Sequence, residues 1–310
     1  MKIISKTFKL LTVFLLVTAL TGCSSDDDNN YGGEPETTTV VDIALANNLT
    51  SLAAALEATD LVTTLQGAGP FTVFAPSNEA FTALLNATGL DLNNLSADQE
   101  ALVRNILLNH VIVGETIGAA ELIAAGSGYT NTAAVGPNNA NLSLYFDTSN
   151  GVMLNGSSTV TTADRTATNG VIHIVNEVIG LPTIATFATS NPALSLLVDA
   201  LAYADTGSPT VPYLATVSDA AAGPFTVFAP TNTAFGNVLA ELELSGFGEG
   251  EGELNSATTD AVLLSHIVSG NIQSSGLPNG TVSTLGAELM ADNQNFTLTD
   301  PNDRISNIVT

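Results

Sequence analysis

The chain has 310 residues, about the length of two ordinary domains, and its 45% hydrophobic content argues against an intrinsically disordered protein. Thirty aspartates and glutamates against six lysines and arginines give a net charge of −24. A surface this acidic repels phosphate backbones, so nucleic acids are not expected as partners.

The N-terminus predicts an export signal. Three lysines, Lys2, Lys6 and Lys9, precede an apolar run over 10–20 that is too short to span a bilayer. The tetrad Leu20-Thr21-Gly22-Cys23 follows and resembles the lipobox of bacterial lipoproteins, whose cysteine becomes the lipidated first residue. We therefore expect a signal peptide over 1–22 and lipid attachment at Cys23. The alternative is an ordinary signal peptide that happens to end near the only cysteine.

An acidic, polar stretch follows Cys23. Its composition predicts a flexible tether over 23–38. The run Asp26-Asp27-Asp28 also resembles the export tag on surface lipoproteins of some Gram-negative bacteria. We expect a lipid-anchored protein of the cell envelope, at the outer membrane, with its domains facing outward.

The remainder of the chain repeats itself. The octapeptide Gly69–Pro76 recurs letter for letter at Gly223–Pro230. Flanking segments repeat as well, with Leu49–Leu56 matching Leu194–Leu201 and Ile106–Ile112 matching Val262–Val268. Each copy is domain-sized, which predicts two tandem domains over 39–182 and 183–310.

Helical signals dominate the first half of each copy. The spacing of Leu49, Leu52, Ala53 and Leu56 predicts a helix. A short strand is predicted from Phe71 to Phe74, ended by Pro76, and Ser77 and Thr231 are predicted N-caps of the helices that follow. Ser96 and Gln99 fit a capping box. It opens a helix whose predicted apolar stripe contains Leu102, Val103, Ile106, Leu107 and His110.

Strand signals dominate the second half. Leu142, Leu144 and Phe146 alternate, and after the turn Asn150-Gly151 a further strand is predicted from Val152. The turn Asn169-Gly170 leads into 171–175, which is apolar on both faces and should be a central, buried strand. Helices followed by strands indicate an α+β fold.

These segments resemble the fasciclin-type domain. Its first hallmark is similar to Gly69–Phe81 and Gly223–Phe235, its second to Asn169–Ile179, and the histidine of its tyrosine–histidine motif to His110 and His266. The resemblance implies two tandem domains, each a twisted β-sandwich or wedge with packed helices, with both hallmarks on neighbouring central strands. It also implies adhesion at the cell surface or matrix through protein or polysaccharide contacts, with no catalytic chemistry and no cofactor.

The chain departs from this pattern in two ways. Asn109 and Ser265 stand where the motif has tyrosine, so adhesion attributed to that tyrosine is not expected to carry over. The second copy ends at residues that align near 158–161, without a counterpart of Asn169–Ile179. We expect either a longer natural chain or a second copy that is incomplete and partly folded.

Candidate binding residues are confined to the motif positions: Asn109, His110, Ser265 and His266. The competing interpretation makes His110 and His266, like His173, hydrogen-bonded core residues. No two histidines lie within five residues and no nucleophile motif is present, so neither a metal site nor catalytic residues are predicted. Asp300, Asn302 and Asp303 are interpreted as a turn rather than a calcium loop.

Three functions remain open at this point. The first is a surface adhesin whose two domains bind a matrix protein, a polysaccharide or another cell. The second is a structural spacer or assembly partner in the envelope with no ligand of its own. The third, an enzyme, requires a polar constellation that the sequence does not supply.

Overall fold

The computed structural model describes residues 38–209 and 211–309. The predicted signal peptide, Cys23 and nearly all of the tether lie outside the described residues. We call 39–182 the first repeat and 183–310 the second repeat.

The first repeat begins with helices and ends with strands. Its helices are α1 (Val40–Ala46), α2 (Thr50–Ala58), α3 (Val62–Gln66), α4 (Asn78–Thr88), α5 (Ala97–Leu108) and α6 (Ala119–Ala125). Its strands are β1 (Phe71–Pro76), β2 (Val111–Val113), β3 (Ser127–Val135), β4 (Asn141–Asp147), β5 (Met153–Leu154), β6 (Ser158–Ala167) and β7 (Gly170–Val175).

The second repeat follows the same order. Its helices are α7 (Ile184–Ser190), α8 (Ser195–Thr206), α9 (Tyr213–Ser218), α10 (Asn232–Glu241) and α11 (Ser256–Leu264). Its strands are β8 (Phe225–Val227), β9 (Ile267–Ser269), β10 (Gly280–Ser283), β11 (Glu288–Asp292), β12 (Thr297–Thr299) and β13 (Ile305–Asn307).

One seven-stranded sheet organises the first repeat, in the order β2-β1-β7-β6-β5-β4-β3. β7 is central, as predicted, and pairs parallel with β1 and antiparallel with β6. The outer strands β2 and β3 also lie next to each other, so the sheet is strongly curved. The two hallmark segments are therefore on neighbouring strands, as the resemblance implied.

Two apolar cores cover the two faces of this sheet. Alternate residues of a strand point to opposite faces, so Phe71 and Val73 join one core with the helices while Phe74 joins the other inside the curve. On β7, Ile172 and Val175 divide in the same way. This placement explains why both strands carry apolar residues on both faces.

Local capping signals are confirmed. The hydroxyls of Ser77 and Thr231 accept from Ala80 N (3.2 Å) and Ala234 N (3.3 Å). Ser96 and Gln99 form the predicted capping box.

The predicted stripe of α5 needs one correction. Leu102 is 44% exposed, whereas Val103, Ile106 and Leu107 are buried. At about 100° per residue, Leu102 lies at the margin of the face that these three define. His110 is buried as expected, but it follows the end of the helix at Leu108.

In its described residues, the second repeat has counterparts of β1 to β6 but none of β7. β8 pairs with β9, and β10 to β13 form a separate four-stranded sheet. Within residues 38–209 and 211–309, β8 has one hydrogen-bonded neighbour where β1 has two. Phe225 and Val227 are accordingly only half-buried.

Helix length and hydropathy bear on whether a segment could span a membrane. In the described part of the chain, no single helix is long and apolar enough to cross a membrane. By length and composition alone, α7 and Pro192–Thr206 could together form a membrane span, but the two segments are bent by 101° at the break between them. Leu197, Ala200 and Leu201 of that pair are buried in the core of the second repeat.

Candidate functional site

The motif residues of the first repeat lie at the junction of α5 and β2. Asn109 caps the C-terminus of α5, and His110 leads into β2. Their exposed fractions are 0% and 2%. Both side chains are therefore interior, out of reach of a dissolved ligand in this arrangement.

The His110 ring joins two backbone segments. Its Nδ1 lies 2.7 Å from Ile106 O, and its Nε2 lies 2.8 Å from Ile179 N. A carbonyl only accepts and an amide N–H only donates, so Nδ1 carries the proton and Nε2 is the acceptor. Burial lowers the pKa of His110 from 6.5 to about 4, although the bond to Ile106 opposes the shift. The ring is neutral at pH 7.

Asn109 binds the same connecting segment. Its Nδ2 donates to Gly180 O (2.9 Å), and its Oδ1 accepts from the Thr132 hydroxyl (3.0 Å). Thr132 lies on β3 and is itself buried. Asn109 and His110 together therefore fix the segment that follows β7, which leads into the second repeat.

The motif residues of the second repeat make only the hydrogen bonds to their own helix. His266 Nδ1 lies 2.7 Å from Val262 O, and the Ser265 hydroxyl donates to Val262 O at 2.6 Å. Both residues are half-buried. In the described part of the chain, no segment of the second repeat stands where Ile179 and Gly180 stand in the first.

His173 is a third interior histidine. Its Nε2 lies 2.8 Å from Ile117 O, its Nδ1 accepts from Asp164 N at 3.3 Å, and its ring stacks on Phe74 with centroids 5.5 Å apart. The buried position on β7 agrees with the structural interpretation from sequence.

The sequence patterns do not predict two sets of side-chain hydrogen bonds. Thr72 donates to Glu115 O (2.9 Å) and accepts from Ile117 N (2.8 Å), which holds the loop after β2 against β1. Thr226 of the second repeat makes the same pair of bonds, to Gly270 O and Ile272 N, both at 2.8 Å. The signal was available, because this threonine belongs to the repeated octapeptide.

Asn169 makes the second set of these hydrogen bonds. Its Oδ1 accepts from Val40 N, and its Nδ2 donates to Leu65 O and Gly67 O, each at 2.8 Å. The sequence pattern predicts only a turn at this residue. Its three partners lie more than 100 residues earlier, and nothing in the local pattern points to them.

The described residues offer little that could bind a metal ion or a small ligand. Among residues 38–209 and 211–309, no group of three His, Cys, Asp or Glu side chains could hold a metal ion. The Asp300 carboxylate accepts from Asn302 N and Arg304 N, as in a turn. Two cavities, next to β1 and next to β8, are apolar and measure about 20 Å³ each, the size of a single water molecule.

Comparison with known families decides the identity of the fold. A family model described as Fasciclin domain matches residues 47–182 and 196–307. The chain belongs to the fasciclin domain family. The two repeats are mixed α+β fasciclin domains, and the family is of a non-enzymatic, adhesion type.

Two relatives illustrate the range of fasciclin proteins. Protein sll1483 of Synechocystis sp. is 39% identical over 142 residues, which are 46% of this chain and 72% of that protein. Transforming growth factor-beta-induced protein ig-h3 of Oryctolagus cuniculus is 33% identical over 138 residues, 44% of this chain but only 18% of that protein. Among solved structures, the FAS1 domain pair from the insect cell adhesion molecule fasciclin I aligns with a TM-score of 0.48 and 16% identity. That alignment covers 84% of this chain and 90% of the other.

Proposed function

We propose that the chain is a lipid-anchored surface adhesin whose tandem fasciclin domains bind an extracellular protein or polysaccharide. The observation that carries the proposal is the family match in two segments of one chain. Two domains on one anchor raise the avidity of weak sites, because the second contact becomes intramolecular.

The sequence before the domains supports the anchored part of the proposal. Cys23 follows a lipobox-like tetrad, and the acidic tether separates it from α1. Beyond Cys23 the chain keeps all 30 acidic residues but only three arginines and no lysine. Such a surface favours neutral glycans or basic protein patches over polyanionic partners.

The test compares anchored and unanchored protein on cells. Wild type, Cys23→Ala and the neighbouring control Ser25→Ala are expressed in a deletion strain. Lipidation is read by mass spectrometry, surface display by protease shaving, and adhesion on protein- and polysaccharide-coated surfaces. We expect Cys23→Ala to lose lipid and adhesion while Ser25→Ala keeps both. Adhesion equal to that of the deletion strain in all three would refute the adhesin.

A structural spacer without a ligand is the second candidate. Asn109 and His110 are buried, and the two apolar cavities are too small for a ligand. A chain that binds nothing on glycan and matrix-protein arrays, but crosslinks into a stable envelope complex, would favour the spacer. In either role we propose that this chain is not a catalyst. Turnover of a surface polymer that a single Asp or Glu substitution abolishes would contradict this.

A further inference from the structure

The two fasciclin domains contact each other along a surface that we call the seam. It is formed by Tyr129, Tyr145 and Gly156 of the first domain and Phe187, Ser190 and Asn191 of the second. The Tyr129 ring lies between two others, with centroids 5.0 Å from Tyr145 and 5.8 Å from Phe187. Asn191 Nδ2 also donates to the Tyr129 hydroxyl at 3.1 Å.

The first-domain side of the seam is held by the sheet. Tyr129 and Tyr145 are paired across β3 and β4, so their rings share one face. Asn155 donates its N–H to Tyr145 O (2.8 Å), and its Oδ1 accepts from Tyr145 N (2.9 Å). These bonds fix the turn between β5 and β6 against β4, which places Gly156 at the second domain.

Gly156 leaves no space for a side chain at this contact. A Cβ built on it would lie 2.8 Å from Ser190 Cβ and 3.1 Å from Ser190 Cα. Real Cβ atoms do not approach that closely, so any larger residue at 156 must push α7 away.

The connection between the domains has almost no free length. His110 and Asn109 hold Ile179 and Gly180. Thr183 already opens α7 with a capping box, and α7 packs on α8 and α9 of its own domain. Only 181 and 182 stand between the two anchored ends.

The seam also buries two polar side-chain atoms. In the described part of the chain, Asn155 Nδ2 and Ser190 Oγ are the buried side-chain polar atoms without a hydrogen-bond partner. Both belong to residues at the seam or next to it. Burial of two unpaired polar atoms opposes closure, so the aromatic contacts and the Asn191 bond must outweigh it.

We propose that the seam locks the two fasciclin domains into one rigid body with a fixed separation, and that the chain does not behave as two domains on a flexible linker. A rigid pair fixes the spacing that a bivalent ligand must match. The inference concerns only this chain's geometry and stands whether or not the domains are adhesive.

The experiment measures distances between the domains in the full chain. Cys23→Ser removes the only native thiol, and Ala101→Cys with Ala257→Cys places spin labels at exposed positions on α5 and α11. Pulsed electron resonance should give one narrow distance distribution. A broad distribution in this parent protein, equal to that of a flexible tether, would overturn the proposal.

Gly156→Ala should broaden the distribution, and adding Ser190→Gly should narrow it again by removing one clashing atom. Gly89→Ala is the matched control, because Gly89 has nearly the same φ (68° against 71°) but nothing within 4 Å of its Cβ position. Circular dichroism verifies folding of each variant. If Gly156→Ala stays as narrow as Gly89→Ala, the seam does not fix the domains.

Discussion

At His110, one neutral ring binds a backbone amide that lies 69 residues further along the chain. Protonation would place an N–H on Nε2 facing the Ile179 N–H, so the bond would become a donor–donor clash. Acid therefore acts on the segment that leads from the first domain to the second.

We expect stability to fall with acid in a defined window. The folded-state pKa of His110 is about 4 and its ordinary value is 6.5, so below pH 6.5 the unfolded chain binds a proton that the folded chain excludes. The free energy of unfolding of the first domain should keep its full value above pH 6.5 and fall by about 3 kcal/mol as the pH approaches 4. Urea unfolding followed by circular dichroism at pH 7, 5.5 and 4.5 measures it.

Two substitutions separate His110 from other titrating groups. His110→Gln should be less stable at pH 7 but should flatten the profile between pH 6.5 and 4.5. His266→Gln, at the equivalent position of the second domain, should leave the first-domain profile unchanged. Carboxyl groups with lowered pKa, such as Asp42 and Asp147, act at lower pH. An unchanged slope in His110→Gln would exclude the ring as the cause.

Sequence reasoning at this scale found the residues but not their contacts. Ser77, Thr231 and Ser96 were predicted as caps because a cap and its partner lie within three residues. Asn109 was recognised as a departure from the motif, yet its bond to Gly180 spans 71 residues. No local spacing encodes such a pair.

At the scale of elements, Asn169 is the tie between β7 and the helical layer. Its side chain bonds to the first residue of α1 and to two carbonyls at the end of α3. Its own carbonyl accepts from Phe71 N at 2.9 Å, next to the start of the parallel pairing of β1 and β7.

Asn169→Ala should therefore destabilise the first domain by about 2–3 kcal/mol, because a net hydrogen bond contributes about 1 kcal/mol and three are lost. Asn150→Ala is the matched control: Asn150 also precedes a glycine, but lies in an exposed turn, and a change there should stay within about 0.5 kcal/mol. Equal losses in the two variants would mean that the side-chain bonds of Asn169 contribute little.

Equivalent positions of α5 and α11 make a similar contact with side chains of opposite charge. Arg104 on α5 donates from Nη1 to Thr59 O, whereas Asp260 at the same position of α11 accepts from the Tyr213 hydroxyl at 2.6 Å. Burial and the nearby Asp260 raise the pKa of Tyr213, so its hydroxyl stays a donor. The first contact ties α5 to the segment before α3, and the second ties α11 to the first residue of α9. Sequence alignment hides this equivalence, because it pairs an arginine with an aspartate.

At the scale of the whole molecule, the two domains differ by one strand within the residues that the structure describes. β7 joins two parts of the first sheet, and their counterparts, β9-β8 and β13-β12-β11-β10, form separate sheets in the second domain. This difference was predictable, because the second hallmark appears once in the sequence. The seam was not, because Tyr129 and Phe187 follow no period that marks a contact between domains.

We expect the 310-residue chain to unfold in two calorimetric transitions, with the second domain at the lower temperature. Among the described residues β8 has one hydrogen-bonded neighbour where β1 has two, and Phe225 and Val227 are half-buried where Phe71 and Val73 are 5% exposed. Val227→Ala should move the lower transition and Val73→Ala the upper one. One transition, moved equally by both variants, would show that the domains have equal stability or unfold together.

A peptide with the sequence of residues 169–179 should then stabilise the second domain. In the first domain these residues fill the space between β1 and β6 with a strand that is apolar on both faces. In the second domain the equivalent place is the edge of β8 that has no paired strand among the described residues, and Phe225, Val227 and Ile267 line an apolar cavity beside it. A ligand that binds only the folded state stabilises it by about 2.7 kcal/mol at 100 times its Kd, so the lower transition should rise with peptide concentration while the upper one stays fixed. A scrambled peptide of the same composition should leave both unchanged. If the two peptides act alike, the lower stability of the second domain has a cause other than the missing strand.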